Sequence, residues 1–180
     1  MRGGSLLAVD LRRVRATDWG AGFFGAALVG LLWAPWYRVP ILHVHFNRDV
    51  RGHPVTRFFG SQHLNAWQSM AVNDAIFCMA GLFGVWLLIA TAINSTQAVP
   101  IAAAVFASLV GSLAAALAAI RLIWPPDLGT GPTGRAAGVW LGTGAAIGLT
   151  ACALASMHSE RRGAFDPTAI PITPAPPVGT

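Results

Sequence analysis

The chain has no lysine, one glutamate, one tyrosine and two cysteines, and only 11% of its 180 residues are charged. Each scarcity excludes something. A soluble domain carries about 25% charged residues, so this chain has too few to cover a surface that faces water. A disulfide framework places cysteines in the polar loops of an oxidising compartment. Cys78 and Cys152 lie inside apolar runs and read instead as small apolar side chains. Paired-carboxylate chemistry has few candidates, because Glu160 is out in the tail. No P-loop, HExxH, paired CxxC, GxSxG or dinucleotide fingerprint occurs.

What the chain has instead is apolar length. Hydrophobic residues make up 54%, gathered into four runs at about 19–37, 67–93, 100–123 and 136–157. A hydrocarbon core about 30 Å thick needs about 20 helical residues. In lipid every backbone polar group must be satisfied within its own segment, so these runs are expected to be helices. The expected fold is an all-α membrane protein, a bundle of four transmembrane helices over 19–157. Ahead of it lies a basic N-terminus (1–18), and Pro100 opens the third run where a helix has no use for an N–H. Trp124-Pro125-Pro126 closes that run. The first run is too long for the apolar part of a leader and lacks a small-residue cleavage site, so it reads as a retained anchor. The segment 158–180, with five prolines after Arg162, reads as a disordered or polyproline-like tail.

All 12 basic residues are arginines, giving a formal net charge of +5. They sit in connections and tails rather than along one face of a soluble domain. That argues against a nucleic-acid partner and for orientation and contact with anionic lipid. Arginine for lysine throughout, with abundant Ala, Gly and Pro, is the composition of a GC-rich genome. Arg12, Arg13 and Arg15 beside the first run place the N-terminus in the cytoplasm, and four spans bring the C-terminus to the same side. The connection 38–66 is then extracytoplasmic, and the expected location is a bacterial cell membrane. Trp33, Trp36, Trp67, Trp124 and Trp140 fall toward that face as an interfacial belt.

Three groups of residues are candidates for a function. Asp74 is the acid expected inside a span, where a charge costs a few kcal/mol and calls for a partner. Arg121 is the expected partner, near the same end of the neighbouring antiparallel run, and an ion pair fixing helix register is the favoured role. The loop carries His43, His45, His53 and His63 with Asp49. His43 and His45 share a side of an extended segment and could hold zinc or copper with a third ligand. HxH alone has no defining spacing, and histidines of an interfacial loop facing water are the commoner case. Gly138 and Gly142, continued by Ala146, and Gly144 with Gly148 form small-residue ridges that let helices approach closely. In a four-span chain such ridges more often serve internal packing than a dimer.

The series Pro35-Trp36-Tyr37, Ala66-Trp67-Gln68-Ser69-Met70-Ala71-Val72-Asn73-Asp74 and Ile120-Arg121-Leu122-Ile123-Trp124-Pro125-Pro126 resembles a group of uncharacterised small four-span membrane proteins of actinobacteria and related GC-rich bacteria. Members show "PWY", "AWEAF-x-x-x-D" and "YRLxxPP" and a short Pro-rich cytoplasmic tail. This chain has Gln68 where the group tends to have an acid, and a longer, histidine-richer first loop. The resemblance implies topology and weight on Asp74 and Arg121, and no reaction. The expected function is that of a non-enzymatic accessory, scaffold or interaction subunit of the cell envelope. No cofactor is named by the sequence, and the expected partners are the bilayer and a membrane protein or second copy. The alternative is a metal- or proton-handling protein using the histidine loop and Asp74.

Overall fold

A computed structural model of the chain describes residues 14–40, 47–48, 54–55, 60–70, 72–93, 98–128 and 133–163. In chain order these form α1 (Ala16–Leu31), β1 (Pro35–Pro40), β2 (Asn47–Arg48), β3 (Pro54–Val55), β4 (Ser61–Asn65), α2 (Ala66–Ser69), α3 (Asn73–Ile93), α4 (Ala98–Ile123), β5 (Gly134–Arg135) and α5 (Ala137–Gly163). Of these, α3, α4 and α5 (over Ala137–His158) are long and apolar enough to cross a membrane. The chain is thus mostly helical, with a small sheet added.

The long helices pack in a cycle: α1 against α3 and α5, and α4 against α3 and α5. Glycine and alanine make this possible. A Cβ on Gly25 would fall 2.5 Å from the carbonyl oxygen of Gly81 and 3.2 Å from Cα of Gly84, so α1 and α3 touch backbone to backbone. In lipid, where apolar burial gives no driving force between helices, such van der Waals contact is what holds them. Between the helices lie Ala21, Leu28, Phe77, Ala80, Leu87, Ala107, Ala114, Ala146 and Leu149.

The first expected run, 19–37, is corrected at both ends. Its helix begins at Ala16 and ends at Leu31. A tighter turn follows, with the N–H groups of Leu32, Trp33 and Ala34 donating to the carbonyls of Val29, Gly30 and Leu31. Pro35 then ends the helix, because proline has no N–H to donate and holds the preceding residue in extended backbone. At 16 residues, α1 is about 24 Å long, short of the ~30 Å core. The second expected run is also divided: Ala66–Ser69 form a single turn, and α3 starts afresh at Asn73. The fourth continues to Gly163, into what was expected to be tail.

The region expected as an irregular loop contains strands. β1 is central in a three-stranded antiparallel sheet ordered β4-β1-β5, pairing Arg38 with His63 and Tyr37 with Leu64 on one side. On its other side Tyr37 pairs with Arg135 and Arg38 with Gly134. Gly60 enters β4 at φ +94°, backbone that favours glycine. A separate two-stranded ladder joins Asn47 to Val55 and Arg48 to Pro54. The larger sheet caps the end of the helices where α1 and α4 finish and α3 and α5 begin.

Candidate functional site: the capped end of the helices

Trp36 and Tyr37 hold the cap to the helices. Both are fully buried, so Trp36 is not part of an interfacial belt; it is a plug. Its ring stacks on Phe77 with centroids 5.6 Å apart, and its Nε1–H donates to the Leu31 carbonyl at 2.7 Å. On α5 the ring lies over glycine: a Cβ on Gly142 would fall 2.5 Å from Cζ2 of Trp36, and one on Gly138 2.5 Å from the Pro35 carbonyl. The β1 backbone is tied on both sides. Ala136 N–H donates to the Trp36 carbonyl of β1, and Ala66 N–H donates to the Leu32 carbonyl in the turn ahead of it. The other four tryptophans of the expected belt, Trp33, Trp67, Trp124 and Trp140, are exposed, and Trp33 and Trp67 contact each other at 5.7 Å.

The sheet also finishes α4. The last carbonyls of a helix lack intrahelical partners, and here side chains of β1 and β5 supply donors. The Tyr37 hydroxyl donates to the Arg121 carbonyl at 3.2 Å. The Arg135 guanidinium donates through Nε to Leu122 and through Nη2 to Ile123, the latter at 3.0 Å. Sequence reasoning missed Arg135; its signal was a basic residue placed to return to a helix end just cut off by Pro125-Pro126. Burial pushes the Tyr37 phenol above its ordinary range, and the nearby positive charges of Arg121 and Arg135 offset part of that rise.

Asp74 lies in the first turn of α3 and is 1% exposed. Neither carboxylate oxygen has a hydrogen-bond partner among the described residues. The expected ion pair with Arg121 is therefore not formed. Arg121 is half-buried at the end of α4, its charge is felt at Tyr37, and no ion pair joins it to a carboxylate among the described residues. Counting residues placed the two at similar depth. The break between α2 and α3 and the insertion of β1 then set where each helix end points.

A second buried acid escaped the sequence reading. Asp18, 2% exposed, lies in the first turn of α1 at the opposite end of the helices. It accepts from the hydroxyl of buried Ser156 of α5 at 2.6 Å and from the Arg15 backbone N–H at 3.1 Å. Starting the first helix at Trp19 hid it; an acid three residues past Arg15 is the signal for a helix first turn. Ser108 donates to Val105 and Thr143 to Val139, whereas the buried Thr17 hydroxyl beside Asp18 has no partner among the described residues.

Of the expected loop ligands, His43, His45, His53 and Asp49 lie outside the described residues. His63 is exposed on β4, beside Arg38. No group of three metal-ligating side chains occurs among the described residues, and both cysteines are free thiols. Of the expected packing glycines, Gly138, Gly142 and Gly148 are internal contacts, the last against the Phe24 ring. A Cβ at Gly144 would meet nothing within 4 Å. Gly144 instead lines an apolar groove of about 610 Å³ on the outer side of α1 and α5, with Phe23, Ala27, Gly30 and Trp140. Comparison with protein-family models, curated proteins and solved structures returns no match.

Proposed function

We propose that the protein is a non-enzymatic accessory or scaffold subunit of a bacterial cell membrane, with four helices crossing the bilayer as a bundle. Both termini are cytoplasmic, and the sheet caps the bundle outside. The observation that carries this reading is the way the interior is filled. Trp36 plugs the capped end, α1 and α3 meet backbone to backbone, and the two buried acids sit at opposite ends. Between Asp18 and Asp74 the buried polar groups are hydroxyls already donating to nearby carbonyls or to Asp18 itself. A proton or ion relay needs a continuous polar path. A rigid body that displays a sheet and a lipid-facing surface needs none. The likeness of its Pro35-Trp36-Tyr37 and Asp74 segments to the small four-span proteins supports the same topology.

The test is the native membrane with Asp74→Asn. For a scaffold, the proteins that co-purify in mild detergent and the phenotype of a deletion strain rescued by the variant both stay as in wild type. Loss of rescue with an unchanged protein level would sink the scaffold reading.

The second reading, metal or proton handling, is favoured by the unpartnered oxygens of Asp74. It requires that joint substitution of His43 and His45 removes bound zinc or copper, or that Asp74→Asn abolishes proton uptake by proteoliposomes under an imposed gradient.

A further inference from the structure

The end of α4 nearest the sheet gathers two arginines, Arg121 and Arg135, with Asp127 four residues beyond Ile123 in the chain. Arg135 lays its guanidinium on the carbonyls of Leu122 and Ile123, and Arg121 stands one residue earlier on the same helix end. Tyr37, hydrogen-bonded to the Arg121 carbonyl, lies between the two. Neither guanidinium is ion-paired to a carboxylate among the described residues. Exposed Trp124, at 68%, follows Ile123 at this end, as interfacial tryptophans flank the headgroup layer.

A bare helix C-terminus carries partial negative charge and repels anions. Arg135 cancels that effect, because it covers the terminal carbonyls with two of its donors and keeps further N–H groups free. Arg121, half-buried at the same end, brings a second fork. Guanidinium forks match phosphate oxygens in pairs, which an ammonium does not.

We propose that the sheet-side end of α4 binds the phosphate of an anionic phospholipid headgroup, with Arg121 as its main ligand and Arg135 as the cation fixed on the helix end. The site rests on the membrane-embedded reading above and adds a specific ligand to it.

The full-length protein is reconstituted in nanodiscs of phosphatidylcholine with and without phosphatidylglycerol, and lipids retained by the released protein are counted by native mass spectrometry. Wild type retains phosphatidylglycerol over phosphatidylcholine. Arg121→Gln weakens that retention roughly tenfold, as expected for loss of a charge-assisted contact. Arg121→Lys keeps the charge without the fork and gives an intermediate loss. Arg38→Gln, on the outward side of the sheet, leaves retention unchanged.

Equal retention by wild type and Arg121→Gln overturns the proposal, and so does an equal loss in Arg38→Gln, which would mean a diffuse surface potential. Displacement of the lipid by inorganic phosphate alone would assign the site to free phosphate and overturn the lipid ligand. Failure of wild type to enter nanodiscs would overturn the membrane reading along with the site.

Discussion

A carboxylate that accepts no hydrogen bond, 1% exposed in the first turn of α3, is the least satisfied group among the described residues. Breaking a buried ion pair costs about 3–5 kcal/mol, because it strands the remaining charge. Asp74 has no pair to break. Asp74→Asn should therefore leave stability equal to wild type or higher, and the effects of Asp74→Asn and Arg121→Gln should add within about 0.5 kcal/mol. Reversible unfolding in mixed micelles measures both; a coupling well above that value would restore the ion pair. Tyr37 offers a second measurement, since it is the one tyrosine in the chain and no other phenol titrates with it. Its pKa is raised by burial. Stability from the buried neutral phenol is thus fully present below the unfolded value of about 10 and is lost as pH rises toward the folded value. Wild type should lose stability in that alkaline window and Tyr37→Phe should lose less. A phenolate midpoint at or below the ordinary value would contradict the burial.

At the scale of elements, glycines of one sequence pattern divide by what they touch. Gly142 lies under the Trp36 ring, where a Cβ would sit 2.5 Å from ring carbon, whereas at Gly144 a Cβ would meet nothing within 4 Å. Gly142→Ala should cost about 1–3 kcal/mol by overpacking. Gly144→Ala should be neutral or stabilise by up to about 1 kcal/mol, because alanine loses less backbone freedom in a helix. Steric-trapping measurements of the two variants decide this, and equal effects would mean that the Trp36 plug is misplaced. The spacing of these glycines was plain in the sequence. Which of them faced Trp36 was not, because that depends on β1 turning back over α5 instead of extending α1.

For the molecule as a whole, the question is whether α1 crosses. Its 16 residues span about 24 Å, and the tight turn through Ala34 adds to that. A short span is accommodated by local thinning of the bilayer at modest cost. Reporter tags at the N- and C-termini should lie on the same, cytoplasmic side. A split result would mean three crossings, with α1 lying elsewhere than across the bilayer.

The long apolar helices were legible in the sequence because lipid imposes a local rule. Each segment must satisfy its own backbone and present apolar side chains along about 20 residues, so α4 could be read closely at both ends and α3 and α5 at one end each, Ile93 and Ala137. Pro100 and Pro125 marked two of those ends through backbone chemistry alone. Only the tertiary structure decided the rest: the strand at Pro35–Pro40, the burial of Trp36 and Tyr37, the Asp18–Ser156 hydrogen bond and the parting of Asp74 from Arg121. These are contacts between segments distant in the chain, 138 residues apart for Asp18 and Ser156. Their energies depend on how helix ends are rotated and where a strand re-enters, which no local pattern encodes.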